Sequence, residues 1–347
     1  MNKEIKNKVL IIAADMGAYH FLLPIFKKFK KDKSFDTQFY VNQVIKKFIE
    51  TKKNNFIFYD DKKLLELKKK INDYRFGIFT SNAKKKDEIR LMQYFIKNKI
   101  LAYSLSDNWT NFKDRFKLGP KIIIPNKIFV IDRIAYQRAI KDGLNKKNIY
   151  ITGSPYIDSI RIKSQFLKNK KLNILFISEP LVNYPKNNIY SNNYTELEII
   201  KRIIFELKKQ DLKNYNFYYK IHPNFKSINN RIMKELSKIS YNTIQKNSFA
   251  ESIKNKDIVI GMKSFALIEA GIKGKVCLSI QNIDQKNDNF IGNQLKISYP
   301  IYKLDNINYF LFKKKYSNNL SNLKRLKFEN HNATNNIYNF IIRDIKC

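Results

Sequence analysis

Short apolar runs that alternate with longer amphipathic stretches, and that start over once in mid-chain, constrain this sequence more than any other feature. "KVLIIAA" at 8–14 reads as a strand buried on both faces. "HFLLPIFKKFKKD" at 20–32 reads as the helix after it, with Pro24 tolerable in a first turn. "TQFYV", "FIFYD", "FGIFTS", "ILAYSLS", "KIFVID" and "NIYITG" follow as strands, separated by lysine-rich helical stretches such as 61–72 and 85–98. Strands alternating with helices build parallel βαβ units, with helices on both faces of a sheet.

The pattern pauses at "SPYIDSIRIKSQFLKNKK" (154–171) and restarts with "LNILFIS" (172–178), as apolar as the first strand. The helix after it, "YTELEIIKRIIFELKKQ", carries Thr195 and Glu198 at capping-box spacing. "NFYYKI", "NTIQ", "DIVIG" and "KVCLSIQ" continue as strands with helical segments between them, and 303–347 is helical and polar. The spacing predicts an α/β protein of two doubly wound, Rossmann-like halves facing a cleft. The first Rossmann-like half spans 1–165, the second 172–330, and a C-terminal helix 331–347. A length of 347 residues suits two domains of about 150–170 residues. In open parallel sheets ligands bind beyond the carboxyl ends of the strands, so chemistry is expected there, in the cleft.

The formal net charge of +37 admits two readings. An anionic partner, such as an acidic membrane surface or a phosphorylated substrate, would use it. Codon bias would also produce it, because the chain is rich in Lys, Asn and Ile along its whole length. Nucleic acid is not an expected partner: there is no aromatic RNP pattern, zinc-finger spacing or basic zipper. The two cysteines, Cys277 and Cys347, form neither a disulfide framework nor a zinc pattern. "MNKEIKNKVLIIAADMG" lacks the length and cleavage site of a signal peptide, and no run approaches the ~18 apolar residues of a membrane span. A cytoplasmic protein is expected, soluble or peripheral at the inner face of the membrane.

The strand ends offer candidate groups. After the first strand, "AADMGAYH" brings Asp15, Gly17 and His20 to a βα turn, matching neither a dinucleotide fingerprint nor a P-loop. "SLSDNWTNFKDRF" places Asp107 and Asn108 beside the single tryptophan, Trp109; Asp107 is either a general base or a helix cap. "ITGSPYID" puts Ser154 after the last strand of the first half. In "YYKIHPNF" the proline holds His222 in extended backbone, from where it can donate to a phosphate oxygen, with Lys220 two residues earlier. "DIVIGMKSFALIEAGIKGK" reads strand, turn, helix. Free backbone N–H groups after Gly261, with Lys263 and the Ser264 hydroxyl, would make an anion site there. Glu269 would then reach a ribose or sugar diol, or Ser264 is simply a helix cap and Glu269 exposed.

With "SDNWTNFKDRF", "PNKIFVIDRIAYQRAIKDGLNKKNIYITGSPYID", "LFISEP", "YYKIHPNF" and "DIVIGMKSFALIEAGIKGKVCLSIQ", the chain over residues 8–285 resembles the GT-B-fold nucleotide-sugar enzymes of bacterial surface-polysaccharide synthesis. Those include non-hydrolysing UDP-N-acetylglucosamine 2-epimerases, polysialyltransferase-like sialyltransferases and the glycerophosphate transferases of teichoic-acid synthesis. The resemblance implies a His-Pro pair and a downstream serine motif that hold nucleotide phosphates, which map onto His222-Pro223 and Ser264. It departs from the epimerases in "MKSFALIEAG", where a glycine-rich stretch with paired glutamates is expected, and only Asp15 offers an acid near the first strand. The implied activity is that of a metal-independent glycosyltransferase with a nucleotide sugar as donor substrate, no cofactor, and a polysaccharide or lipid-linked glycan acceptor. The donor side would be Lys220, His222, Pro223, Gly261, Lys263, Ser264 and Glu269. The acceptor side would be Gly17, His20, Asn108 and Ser154, with Asp15 or Asp107 as base. The rival readings are a nucleotide-sugar 2-epimerase or hydrolase, and a non-catalytic polyanion-binding protein on the same scaffold.

Overall fold

A computed structural model of the chain describes residues 7–49, 55–81, 86–163, 171–179, 194–211, 214–223, 225, 227–245, 248–281, 285–316 and 320–346. Cys347, Asn224 and all of the joining stretch 164–170 lie outside them. The chain divides into two compact units, one of Met1–Ser159 with Leu326–Cys347, the other of Ile160–Arg325.

In the first unit the strands are β1 (Asn7–Ala13), β2 (Phe35–Asn42), β3 (Phe56–Tyr59), β4 (Phe76–Phe79) and β5 (Leu101–Leu105). A short antiparallel pair follows, β6 (Lys117–Leu118) with β7 (Lys121–Ile122), then β8 (Lys127–Val130) and β9 (Ile149–Ile151). Seven of these make a parallel sheet in the order β3-β2-β1-β4-β5-β8-β9. The helices are α1 (Met16–Lys31), α2 (Asp61–Lys69), α3 (Asp87–Lys97), α4 (Phe112–Arg115), α5 (Arg133–Lys141) and α6 (Pro155–Ser159). Val9, Ile11 and Ala13 of β1 pack on Leu22, Phe26 and Phe29 of α1, while the alternate residues Leu10 and Ile12 are equally buried on the other face. That two-sided burial is why β1 has no polar residue after Lys8.

Helix α1 starts four residues earlier than the sequence reading placed it. Asp15 caps it, its Oδ1 accepting from the Ala18 amide at 2.9 Å. Pro24 therefore lies inside the helix rather than in its first turn, and the His20 carbonyl loses its i+4 donor.

The second unit holds β10 (Leu172–Ile177), β11 (Tyr215–Lys220), β12 (Tyr241–Ile244), β13 (Ile258–Gly261), β14 (Val276–Ile280) and β15 (Tyr299–Ile301). They form a parallel sheet in the order β12-β11-β10-β13-β14-β15. Its helices are α7 (Glu196–Leu207), α8 (Asn230–Leu236), α9 (Phe249–Ile253), α10 (Phe265–Ile272) and α11 (Ile291–Gln294). Thr195 and Glu198 form the expected capping box on α7. Ile199, Ile203 and Leu207 of α7 bury against Ile174, Phe176 and Phe217 of the sheet. Each such side chain contributes about 1.5–3 kcal/mol by leaving water.

Both sheets run 3-2-1-4-5 through their first five large strands, and each order reverses beside its first strand. The reversal lies between β1 and β4 in one unit and between β10 and β13 in the other. Helix α12 (Leu320–Glu329) leads to α13 (Ala333–Asp344), which completes the first unit's core with Ile337 and Ile341. Tyr103 of β5 donates to Asp344 at 2.8 Å, and Tyr338 donates to Asp32.

Candidate active site

At the first unit's reversal three carboxyl groups gather. Glu88, in the first turn of α3, is fully buried. Its Oε1 accepts from the Ala14 amide beyond β1 and from the Thr80 hydroxyl beyond β4, each at 2.9 Å. Its Oε2 has no partner among the described residues. Burial pushes the Glu88 carboxyl up to about 8, with the charges of Asp15 and Asp107 adding to the shift. Asp107 follows β5 and pairs with Arg115 of α4 at 2.5 Å. Burial raises the Asp107 carboxyl, Arg115 opposes that rise, and Asp15 adds to it.

Gly17 explains how the Asp107 carboxylate comes close to the turn that holds Asp15. A Cβ at position 17 would lie 3.2 Å from Asp107 Oδ2 and 3.3 Å from Asp15 Oδ1. Asp15, Gly17 and Asp107 are thus brought together. The other acceptor-side candidates have local roles. The His20 ring stacks on Tyr156 at 4.8 Å. Asn108 Oδ1 accepts from the Trp109 amide at 2.7 Å, and the indole donates to Asp132, the cap of α5, rather than covering Asp107. Ser154 is 1% exposed; its amide donates to Asn330 and its hydroxyl accepts from the Ile157 amide, so it is closed off from solvent.

A pH prediction follows for Glu88. A carboxyl whose folded value is raised stabilises the fold below its unfolded value near 4.5 and loses that contribution as pH rises through about 8. Wild type is therefore expected to lose denaturant resistance between pH 5 and 8 more steeply than Glu88→Gln. Parallel slopes in urea titrations would place the proton elsewhere.

In the second unit the anion seat expected after Gly261 is arranged differently from the sequence reading. Its amides are not free. Glu179, just beyond β10 and 5% exposed, accepts from the Met262 amide at 2.6 Å through Oε1 and from the Lys263 amide at 3.0 Å through Oε2. The Ser264 hydroxyl caps α10, accepting from the Ala266 amide at 3.1 Å. A second buried acid, Glu196 of α7, accepts from the Ser178 hydroxyl, the Glu179 amide and the Tyr219 hydroxyl. Burial pushes Glu179 up to about 7 against the pull of the Met262, Lys263 and Ser264 amides, and Glu196 adds to the rise.

Lys220 ends β11 nearly buried, and burial lowers its ammonium to about 8 against the opposing charge of Glu251. His222 follows it, its carbonyl accepting from the Phe225 amide at 2.9 Å and its ring edge-on to Phe225 at 5.8 Å; Pro223 sits in that turn. Lys263 is half-buried, and burial lowers its ammonium against the charges of Asp288 and Glu179. Glu269, in the second turn of α10, is buried rather than exposed and pairs with Lys273 at 2.5 Å. Among the described residues no group of three or more His, Cys, Asp or Glu could hold a metal ion, and no helix is long and apolar enough to cross a membrane.

No family model and no curated protein matches the sequence. Solved structures do match it. MnaA from S. aureus, solved with UDP, superposes with a TM-score of 0.65 at 14% identity, over 98% of this chain and 97% of that one. UDP-GlcNAc 2-epimerase from Neisseria meningitidis, bound to UDP-GlcNAc, gives 0.61 at 13% identity, over 97% and 100%. The lipopolysaccharide outer core galactosyltransferase WaaB gives 0.54 at 11% identity, over 97% and 99%. The chain has the GT-B fold. At 11–14% identity the likeness is one of architecture, and the site must be argued from its own residues.

Glu88, Arg115, Glu179 and Glu196 escaped the sequence reading. The one signal available was an acid placed directly after a strand or in a helix's first turn, as in "FISEP" and "KKDEIR".

Proposed function

We propose that the protein is a glycosyltransferase that moves a sugar from a nucleotide-sugar donor to a cell-surface polysaccharide or lipid-linked glycan acceptor. The observation that carries this reading is the division of chemistry between the two sheets' reversals. Lysines, His222 and the Ser264 cap of α10 stand at strand ends of the second unit alongside the buried Glu179 and Glu196, while Asp15, Glu88 and Asp107 gather at those of the first. The second unit would take the donor's phosphates, with Lys220, His222, Lys263 and Ser264 meeting their charge and Glu269 on the same helix. Leaving-group charge would develop against cations and a helix end already oriented, which is the cheapest form of electrostatic help. The first unit would take the acceptor beside Gly17, His20 and Asn108, with Asp107 drawing the proton from its hydroxyl. UDP is the first nucleotide to try, since it or a UDP sugar is bound in two of the similar structures. A net charge of +37 would favour an anionic leaflet carrying lipid-linked acceptors, at about 1 kcal/mol per lysine near the surface.

A second reading, epimerisation or hydrolysis of the nucleotide sugar itself, is favoured by the epimerases among the similar structures. It predicts turnover of UDP-GlcNAc with no acceptor present; the transferase reading predicts none.

The test is thermal unfolding with UDP, CMP, CDP, GDP and inorganic phosphate, on wild type and His222→Ala. A nucleotide at a hundred times its Kd should add about 2.7 kcal/mol, roughly 5–10 °C for a unit of this size. One nucleotide stabilising wild type but not the variant is the expected result. Equal shifts with every anion, unchanged in the variant, would favour a polyanion-binding protein instead.

A further inference from the structure

Glu179 stands where this fold places its ligands. In a doubly wound sheet a crevice opens beyond the strand ends at the point of reversal, and bound groups sit in it. In the second unit that point lies between β10 and β13. Glu179 follows β10, and the amides it holds, of Met262 and Lys263, follow β13. Its carboxylate therefore bridges the crevice, buried, with both oxygens on backbone donors of the kind that cradle phosphates.

We infer that Glu179 is a positioning residue for the donor: it holds the loop amides over which a nucleotide's terminal phosphate seats, and gives way to that phosphate by taking up one proton. This rests on the donor-site reading proposed above. Two anions sharing so dry a site cannot both stay ionised, and the weaker acid takes the proton. Here that acid is Glu179, whose carboxyl already titrates near 7 because it is buried. The proton comes from solvent and forms the carboxyl O–H, and no other bond changes.

The charged groups around it divide. Glu196, from α7, sits on the Glu179 amide and favours protonation; burial raises the Glu196 carboxyl as well, against the Tyr219 hydroxyl of β11, the Ser178 hydroxyl and the Glu179 amide. Lys263 on the loop opposes protonation, and its own ammonium is weakened by burial. Lys220, at the end of β11, is answered by Glu251 of α9.

Calorimetric titration with UDP at pH 7.5, in Tris and in HEPES, counts the protons. A group titrating at about 7 is roughly three-quarters ionised there, so wild type should take up about 0.75 proton per UDP. Affinity should then fall about eightfold from pH 7.5 to 8.5, where the nucleotide's own phosphate, titrating near ~6, no longer changes charge. Glu179→Gln should abolish the uptake, flatten the pH profile, and bind UDP at pH 8.5 at least as tightly as wild type. His222→Asn should keep the uptake. A carboxylate that merely braced the loop would leave the variant weaker at every pH with the slope intact, and that result overturns the inference. Should the Gln variant not fold, wild type that binds UDP with no uptake still overturns the inference, and uptake that is kept in both Lys220→Met and His222→Asn still assigns the proton to Glu179. Binding without uptake, or with uptake that survives Glu179→Gln, sinks this inference alone. Failure of both UDP and pyrophosphate to bind at any pH sinks the donor site with it.

Discussion

Asp107→Asn is expected to lower turnover by about 10²–10⁴-fold while leaving the nucleotide-induced rise in melting temperature intact, the usual scale for losing a general base. Of the two aspartates at the first unit's reversal, Asp107 is the better placed. Asp15 is committed to the α1 cap, whereas the Asp107 carboxyl is raised by burial with Arg115 holding one oxygen at 2.5 Å. A base works best when its pKa approaches the working pH, so burial helps it, and Arg115 keeps it from staying protonated throughout. The acid limb of the rate profile should accordingly lie above the ordinary carboxylate range in wild type and vanish in the variant. The Asn side chain retains a carbonyl oxygen for Arg115, so the fold should survive. Asp15→Asn, which keeps a capping oxygen, is expected to change turnover far less. Single-turnover rates across pH, with melting curves as the control, read wild type and both variants. Asp107→Asn turning over within a few-fold of wild type would remove Asp107 from the chemistry.

Much of this architecture is legible in the sequence, because parallel strands buried on both faces read as continuous apolar runs. The first strand and its mid-chain repeat at 172 bound both sheets, and Thr195 with Glu198 marks the start of α7 correctly. What escapes is of two kinds. The pair β6 and β7 and the strand β15 are two or three residues long, too short for any period to register. The other kind is long-range. The pattern of "NNIYNFIIRDI" says that a helix buries one face, but not that the face closes the core of the first unit. Nor can local spacing show that Glu179 meets an amide 83 residues further on. Free amides were expected after Gly261 because a βα turn usually exposes them. The acid that takes them comes from a neighbouring strand in space.

Replacing Gly153 by valine is expected to destabilise the first unit by about 3 kcal/mol, a drop of roughly 6–12 °C in its melting transition. Two costs combine at this position. The backbone sits at φ +84°, where a β-branched residue is strained by about 1–2 kcal/mol. A Cβ would also lie 2.9 Å from Ala333 Cβ and 3.1 Å from Asn330 Cα, at the junction of α12 and α13. There is nowhere for that junction to retreat. Asn330 is fully buried, its side chain accepting from the Ser154 amide at 2.6 Å and donating to the Leu326 carbonyl at 2.8 Å, and Lys327 donates to the Ile157 carbonyl at 2.9 Å. The turn after β9 and the returning C-terminal helices are thus one packed unit, and pushing them apart would expose Ile337 and Ile341. Gly153→Ala should cost less than valine. Adding Ala333→Gly should recover part of that loss, since it removes the 2.9 Å contact but neither the backbone strain nor the Asn330 contact. Melting curves of the four proteins separate the two costs. A Gly153→Val protein that melts with wild type would mean that the C-terminal helices are not docked on this turn.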